Sequence, residues 1–94
     1  MVKEDLKSIF WDYNLDYTSD DVYNFLVGKL EIKDLRRSQV IARLLTTVRW
    51  YDLIDIFGIE QAYDFLTDEV LQFVWRESLK TRYKNVREVL QGIL

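Results

Sequence analysis

The sequence predicts an all-α fold: a compact, irregular or orthogonal bundle of six to seven short helices in a single domain covering residues 1–94. Apolar residues recur at intervals of three and four along almost the whole chain, which is the period of an amphipathic helix. Alternation with a period of two, which is typical of a strand, is nowhere sustained. Hydrophobic residues make up 49% of the 94 residues, which suits one folded domain with a modest core.

The first two helices are placed by their apolar stripes and by the polar stretch between them. Val2–Phe10 carries the first stripe, and residues 14–18 are expected to form a loop. Thr18 or Ser19 then suits the N-cap position, because a hydroxyl there accepts a hydrogen bond from a free backbone N–H of the first turn. We expect the second helix to run from this cap to about Leu30.

The middle of the chain is predicted to contain two further helices. The first covers about Gln39–Thr46 and starts after a Ser38 cap, since an earlier start would turn Arg37 into the apolar stripe. The second covers Trp50–Phe57, where apolar residues are spaced by three, one and three. Gly58 follows at the position where a left-handed C-cap is common.

Three helices are predicted in the last part of the chain. A short one covers Ile59–Leu66, and Thr67 is a suitable N-cap for the next. A last helix is expected over about Arg82–Gln91, with Gly92 as its stop. The apolar positions of the helix after Thr67 are Val70, Leu71, Val74, Trp75 and Leu79.

The residue types that are missing argue against catalysis. The chain has no His and no Cys, which excludes disulfides, thiolate chemistry, imidazole acid–base catalysis and structural zinc. It has no Ser-x-x-Lys pair and no glycine-rich phosphate loop, and its acidic pairs lack EF-hand spacing. We therefore expect no enzyme activity, no cofactor and no metal ion.

The chain also lacks the sequence signals of membrane insertion and export. No apolar run approaches the ~20 residues that a membrane span needs. The N-terminal residues carry acids instead of the apolar core of a secretory signal. A chain with neither an export signal nor cysteine is expected in the cytoplasm.

Charge is arranged in blocks of alternating sign, although the net charge is only −3. Residues 50–72 contain six acids and no base. Residues 35–49 contain no acid and four bases, Arg36, Arg37, Arg43 and Arg49. The two blocks can neutralise each other inside the folded chain, or they can present opposite surfaces to a partner.

Two pairs of adjacent aromatic residues point to exposed rings. The pairs are Phe10-Trp11 and Trp50-Tyr51, and neighbouring residues on a helix do not share a face. The second member of each pair, Trp11 or Tyr51, is therefore a candidate anchor for a partner, since Trp, Tyr and Arg dominate binding hot spots. The alternative is that both rings fill the core of a small domain.

A second basic stretch, near the C-terminus, is a candidate nucleic-acid surface. It consists of Lys80, Arg82, Tyr83, Lys84 and Arg87. Such cations can follow a phosphate backbone while the ring stacks on bases. Residues 51–66 have the outline of a DNA-binding helix-turn-helix, but Glu60 and Asp64 make their second helix acidic. That helix would repel phosphates, so ordinary helix packing explains the motif better.

Three segments resemble a group of short, uncharacterised prokaryotic helical proteins that start with Phe-Trp-Asp and a polar, acidic loop. They are Ile-Phe-Trp-Asp-Tyr-Asn at 9–14, Ala-Arg-Leu-Leu at 42–45 and Trp-Tyr-Asp-Leu-Ile-Asp-Ile-Phe-Gly at 50–58. Phe10 and Gly58 lie further apart here than in that group. Such proteins are often encoded beside nucleotidyltransferase-like toxins, so the resemblance implies an antitoxin-like or regulatory partner.

These observations together predict a non-catalytic protein–protein interaction module in the cytoplasm, with Trp11, Tyr51 and the four arginines of residues 35–49 as its binding residues. The first alternative is a small DNA- or RNA-binding regulator that uses the basic stretch near the C-terminus, with an affinity that falls steeply with salt. The second alternative is a homodimer in which the acidic block of one copy docks on the arginine block of its twin.

Overall fold

Short helices joined by turns make up the part of the chain that the computed structural model describes, which is Leu6, residues 18–32 and residues 35–94. The prediction of an all-α fold is confirmed for these residues, in which no strand occurs. Within residues 18–32 and 35–94, six helices follow one another: α1 (Ser19–Leu26), α2 (Arg37–Thr47), α3 (Trp50–Phe57), α4 (Ile59–Asp64), α5 (Asp68–Leu71) and α6 (Glu77–Gln91). The predicted helix Val2–Phe10 lies outside the described residues, apart from Leu6.

Both predicted threonine caps are present. The Thr18 hydroxyl accepts from the Asp21 backbone N–H at 3.2 Å, and the Asp21 carboxylate accepts from the Thr18 N–H at 3.1 Å. This reciprocal pair is a capping box, which satisfies two backbone donors at once. At the start of α5 the Thr67 hydroxyl accepts from the Val70 N–H at 3.2 Å.

The boundary between α1 and α2 differs from the prediction. Helix α1 ends at Leu26 rather than near Leu30, because Gly28 has a φ of +87° and turns the chain away. Helix α2 begins at Arg37, and Ser38 is not its cap. Arg37 does not enter the core: its Nε donates to the Leu26 carbonyl at 2.8 Å, which caps the end of α1.

Gly58 joins α3 to α4 without a loop. It is the C-cap of α3 and the N-cap of α4, with φ +82° and ψ +159°. This is not the left-handed helical conformation that the cap pattern predicted, but a region that is essentially restricted to glycine. The helix over Trp50–Phe57 has the predicted bounds.

The division of residues 67–91 into two helices was predicted at the wrong place. Helix α5 ends at Leu71, because the next hydrogen bonds, from Phe73 N–H to Val70 and from Val74 N–H to Leu71, span three residues instead of four. This tighter winding carries the chain out of the helix. Helix α6 then starts at Glu77 rather than near Arg82.

The core contains the apolar faces of these helices and an aromatic cluster. The ring of Tyr23 on α1 stacks on Phe57 with centroids 5.0 Å apart, and Phe57 meets Phe65 edge-on at 5.0 Å. Phe65 and Leu6 are fully buried. Helix α1 packs on α2, α2 on α5 and α3 on α4. The cluster therefore joins α1 to the α3–α4 pair.

Tyr83 ties α6 to the end of α2. Its ring is buried, and its hydroxyl donates to the Leu45 carbonyl at 2.7 Å. Leu45 belongs to the last turn of α2, whose carbonyls have no partner within the helix unless the chain or a side chain supplies one. Burial raises the pKa of Tyr83 to about 12, because the phenolate is the form that loses hydration.

We predict that Gly58→Ala lowers the free energy of unfolding by about 1–3 kcal/mol through backbone strain. No atom lies within 4 Å of the added Cβ, so a steric clash does not contribute. Urea denaturation measures the loss. Gly92→Ala is the matched control, because Gly92 has a helical φ of −79° and accepts alanine without strain. Equal stability of the two variants would contradict the role assigned to Gly58.

We predict that stability decreases between pH 10 and pH 12 and that Tyr83→Phe removes part of this dependence. The pKa of Tyr83 is higher in the folded protein than in the unfolded chain, so its contribution is complete below pH 10 and is lost as the pH rises through about 12. The slope from one such proton is about 1.4 kcal/mol per pH unit. Tyr51→Phe is the control, since Tyr51 is exposed. An unchanged slope in Tyr83→Phe would contradict the prediction.

Candidate functional site

Arginine occupies the N-cap position of three helices, where it is a poor choice for stability. The residues are Arg36 before α2, Arg49 before α3 and Arg76 before α6, and none of them makes a side-chain capping hydrogen bond. Ser, Thr, Asp and Asn are the usual N-caps. A cation at this end also opposes the helix dipole. An arginine that lowers stability at an exposed N-cap is expected where its positive charge serves binding instead of the fold.

Two neighbouring grooves lie between α2 and the chain that follows α5. The first has a volume of about 470 Å³ and is lined by Gln39, Arg43, Thr46, Thr47, Phe73 and Trp75. The second has a volume of about 400 Å³ and is lined by Arg36, Arg37, Ser38, Glu69, Gln72 and Phe73. Phe73 lies in both linings, so the two grooves meet at its ring. We name Arg36, Arg37, Arg43, Phe73 and Trp75 the arginine–tryptophan face.

Trp75 is the feature of this face that the sequence analysis missed. Its spacing placed it on the apolar stripe of a helix, whereas 75% of its surface is exposed. The three-residue hydrogen bonds after Val70 end α5 before Trp75 and so take it off that stripe. No Gly or Pro marks this break in the sequence. The Arg76 guanidinium lies 5.5 Å from the centre of the indole ring, at cation–π distance.

The electrostatics of the face favour an anionic ligand. Three arginines line the two grooves, and Glu69 is the one acid among the lining residues. Arg37 also serves the fold through its bond to Leu26, whereas Arg36 is an exposed N-cap. The N-terminal end of α2 adds the positive end of its dipole to the second groove.

The remaining residues of the predicted partner-binding set are not in these grooves. Tyr51 is 80% exposed, so of the two alternatives for its ring the exposed one is correct and the core one is wrong. Arg49 is exposed as well, but neither residue lines the grooves of the arginine–tryptophan face. Trp11 lies outside the described residues. The structure thus brings together Arg36, Arg37 and Arg43 from the predicted set.

The basic stretch of α6 is only partly exposed. Tyr83 is buried, so its proposed stacking on bases was wrong. Arg87 donates to the Asp68 carboxylate at 2.8 Å and to the Leu66 carbonyl at 3.3 Å. This hydrogen bond and the charge of Arg87 lower the pKa of Asp68. Lys80 lies 3.6 Å from Glu77. Lys84 and Arg82 are exposed.

Neither a cluster of metal ligands nor a helix that could span a membrane occurs within the described ranges. Leu6, residues 18–32 and residues 35–94 contain no group of three or more acidic side chains that could hold a metal ion. None of the helices in these ranges combines the length and the apolar character needed to cross a membrane.

No family model, curated protein or solved structure matches the chain significantly. The assignment of function therefore depends on the chemistry of the surfaces described above, and the resemblance to the toxin-associated group stays a prediction.

We predict that Arg36→Asp stabilises the protein by about 1–2 kcal/mol. The carboxylate can accept from the free N–H groups of the first turn of α2, and it complements the dipole that arginine opposes. Arg36→Ala, which removes the charge without supplying a cap, is expected to gain about 0.3–1 kcal/mol. Thermal unfolding of the natural protein and the two variants measures their order of stability. A loss of stability in Arg36→Asp would show that the arginine is held by contacts that stabilise the fold.

Proposed function

We propose that this protein is a non-catalytic interaction module that binds an acidic segment of a partner protein at the arginine–tryptophan face. The observation that carries the proposal is Trp75, a large ring that is 75% exposed and lines the first groove, which meets the second arginine-lined groove at Phe73. Packing in the core explains a buried Trp. An exposed Trp that lies among arginines is typical of a binding hot spot.

The charges and rings that line the grooves favour a protein partner with both acidic and apolar side chains. The grooves offer two kinds of contact: the guanidinium groups of Arg36 and Arg43 for carboxylates, and the rings of Phe73 and Trp75 for an apolar anchor. Thr47 and Gln39 supply polar groups between them. An acidic segment with one or two apolar side chains fits this lining. A purely anionic polymer would leave the rings without an apolar contact.

The antitoxin-like or regulatory role in the cytoplasm is the biological setting that we propose for this binding. It follows from the resemblance of residues 9–14, 42–45 and 50–58 to helical proteins encoded beside nucleotidyltransferase-like toxins. A regulatory partner of this kind acts by occupying a surface and needs no reaction of its own. An acidic segment on the co-encoded protein is the complement that the face would recognise.

Nucleic acid is the competing ligand for the same arginines. The phosphates of a single strand would bind the arginines, and its bases would stack on the Trp75 ring. Glu69 in the second groove disfavours it. The net charge of −3 also repels a polyanion at long range. Nuclease treatment distinguishes the two ligands, because it degrades nucleic acid and leaves a protein partner bound.

The test is affinity capture from cells of the source organism, with the tagged chain and nuclease in the lysis buffer. We expect one protein to be captured in stoichiometric amount, and its recovery to fall about tenfold or more with Trp75→Ala or Arg36→Asp. Arg36→Asp is informative because it is expected to be more stable than the natural protein, so lost binding cannot be ascribed to unfolding.

Two control variants match these changes away from the face. Tyr51→Ala removes an equally exposed ring, and Arg49→Asp replaces an equally exposed arginine N-cap. Both are expected to capture the partner as the natural protein does. Capture that is insensitive to Trp75→Ala and Arg36→Asp would contradict the proposal, as would retention of nucleic acid in place of protein when nuclease is omitted.

A further inference from the structure

The outer surface of α6 carries an apolar groove that the proposed function does not use. It has a volume of about 570 Å³ and is lined by Trp50, Ser78, Arg82, Asn85, Val86, Val89 and Leu90. None of these residues belongs to the arginine–tryptophan face. Beyond the groove, on the same side of the chain, Ile93 is 72% exposed, and Val89 within it is 63% exposed.

Three exposed residues and the half-buried Val86 form a seam with the spacing of a helix–helix interface. Arg82, Val86, Val89 and Ile93 are separated by four, three and four residues, which is the alternation of a coiled-coil seam. On one side of this seam lie Tyr83 and Leu90, which are buried against the core of the same chain. The side of the seam that faces away from this core can contact a second helix.

Asn85 and Gly92, which are uncharged, flank the seam on that side. The exposed, acidic Glu88 lies beyond them. The cations Lys80, Lys84 and Arg87 fall on the opposite side of the helix, since they are displaced from the seam by close to half a turn. A surface without charges at its centre has the composition of a protein interface core.

We propose that this seam pairs with the same seam of a second copy, with the two α6 helices antiparallel. A twofold axis midway between positions 86 and 89 places Val86 opposite Val89 of the other copy and Arg82 opposite Ile93. The exposed Ile93 then covers the stem of Arg82 in the partner groove. The Arg82 guanidinium reaches the C-terminal end of the other α6, where the helix dipole is negative.

The self-complementary arrangement singles out a second copy as the occupant. A cation lies at one end of the seam and the negative end of the helix dipole at the other, so an antiparallel twin matches both ends at once. A parallel pair would instead bring the two Arg82 side chains together. The pairing therefore has a closed twofold symmetry, as homodimer interfaces usually do.

The first test is the mass of the natural protein in solution, measured by sedimentation over a concentration series up to about 1 mM. We expect twice the mass of one chain at the upper end, and persistence of the dimer in 1 M NaCl, because an apolar contact is not screened by salt. Val89→Glu is expected to give the monomer mass with an unchanged helical circular dichroism spectrum. Ile59→Glu, which alters an exposed apolar residue elsewhere, is expected to leave the dimer intact.

The second test uses the absence of cysteine, which makes a single introduced thiol a clean probe. Val89→Cys is expected to form a covalent dimer under mild oxidation, because its two copies lie on either side of the twofold axis, only about 4.5 Å apart along the helix axis. Ser78→Cys lines the same groove, but the antiparallel register separates its two copies by about 28 Å along the axis. It is expected to stay monomeric in a denaturing gel.

Four results would overturn the proposal. The first is a natural protein that is monomeric throughout the concentration series, and the second is a Val89→Glu variant that still dimerises. The third is cross-linking of Ser78→Cys that equals that of Val89→Cys. The fourth is a dimer that dissociates in 1 M NaCl, which would favour pairing of the acidic and arginine blocks instead. Binding of an acidic partner by the other face is independent of each of these outcomes.

Discussion

The carbonyl ends of the helices must find hydrogen-bond donors, and the arrangement of this small domain depends on where those donors come from. Every α-helix leaves its last four carbonyls without a partner in the helix, and here the helices are only 4 to 15 residues long. Two such donors come from side chains far along the sequence: Arg37 donates to Leu26 and Tyr83 to Leu45. A third side chain, Arg87, donates to the Leu66 carbonyl in the turn between α4 and α5.

These three contacts determine which basic and aromatic residues can act on the surface. Arg37, Tyr83 and Arg87 were all candidates for binding a partner or nucleic acid. Tyr83 is lost to that purpose by burial, and Arg87 is held by a carbonyl and a carboxylate. The arginines at helix N-caps differ from these, because a cation at an N-cap does not stabilise its own helix. Arg87 therefore serves the fold and Arg36 the surface, while Arg37 contributes to both.

The sequence predicted the features that depend on a few neighbouring residues. The caps at Thr18 and Thr67 and the bounds of the helix before Gly58 follow from local chemistry, and the structure contains them. Arg37 and Trp75 were placed incorrectly, since their environments depend on contacts made after folding. The end of α5 has no Gly or Pro signal, so Trp75 could not be recognised as an exposed ring from its spacing.

Photo-cross-linking shows whether the ring at position 75 touches a protein partner. The protein is produced in its source cells with the photoreactive residue p-benzoylphenylalanine in place of Trp75, and separately in place of Tyr51. We expect a cross-link from position 75 to an acidic segment of one protein, and none to that protein from position 51. A cross-link from position 51 instead, or one from position 75 to nucleic acid, would contradict binding at the arginine–tryptophan face.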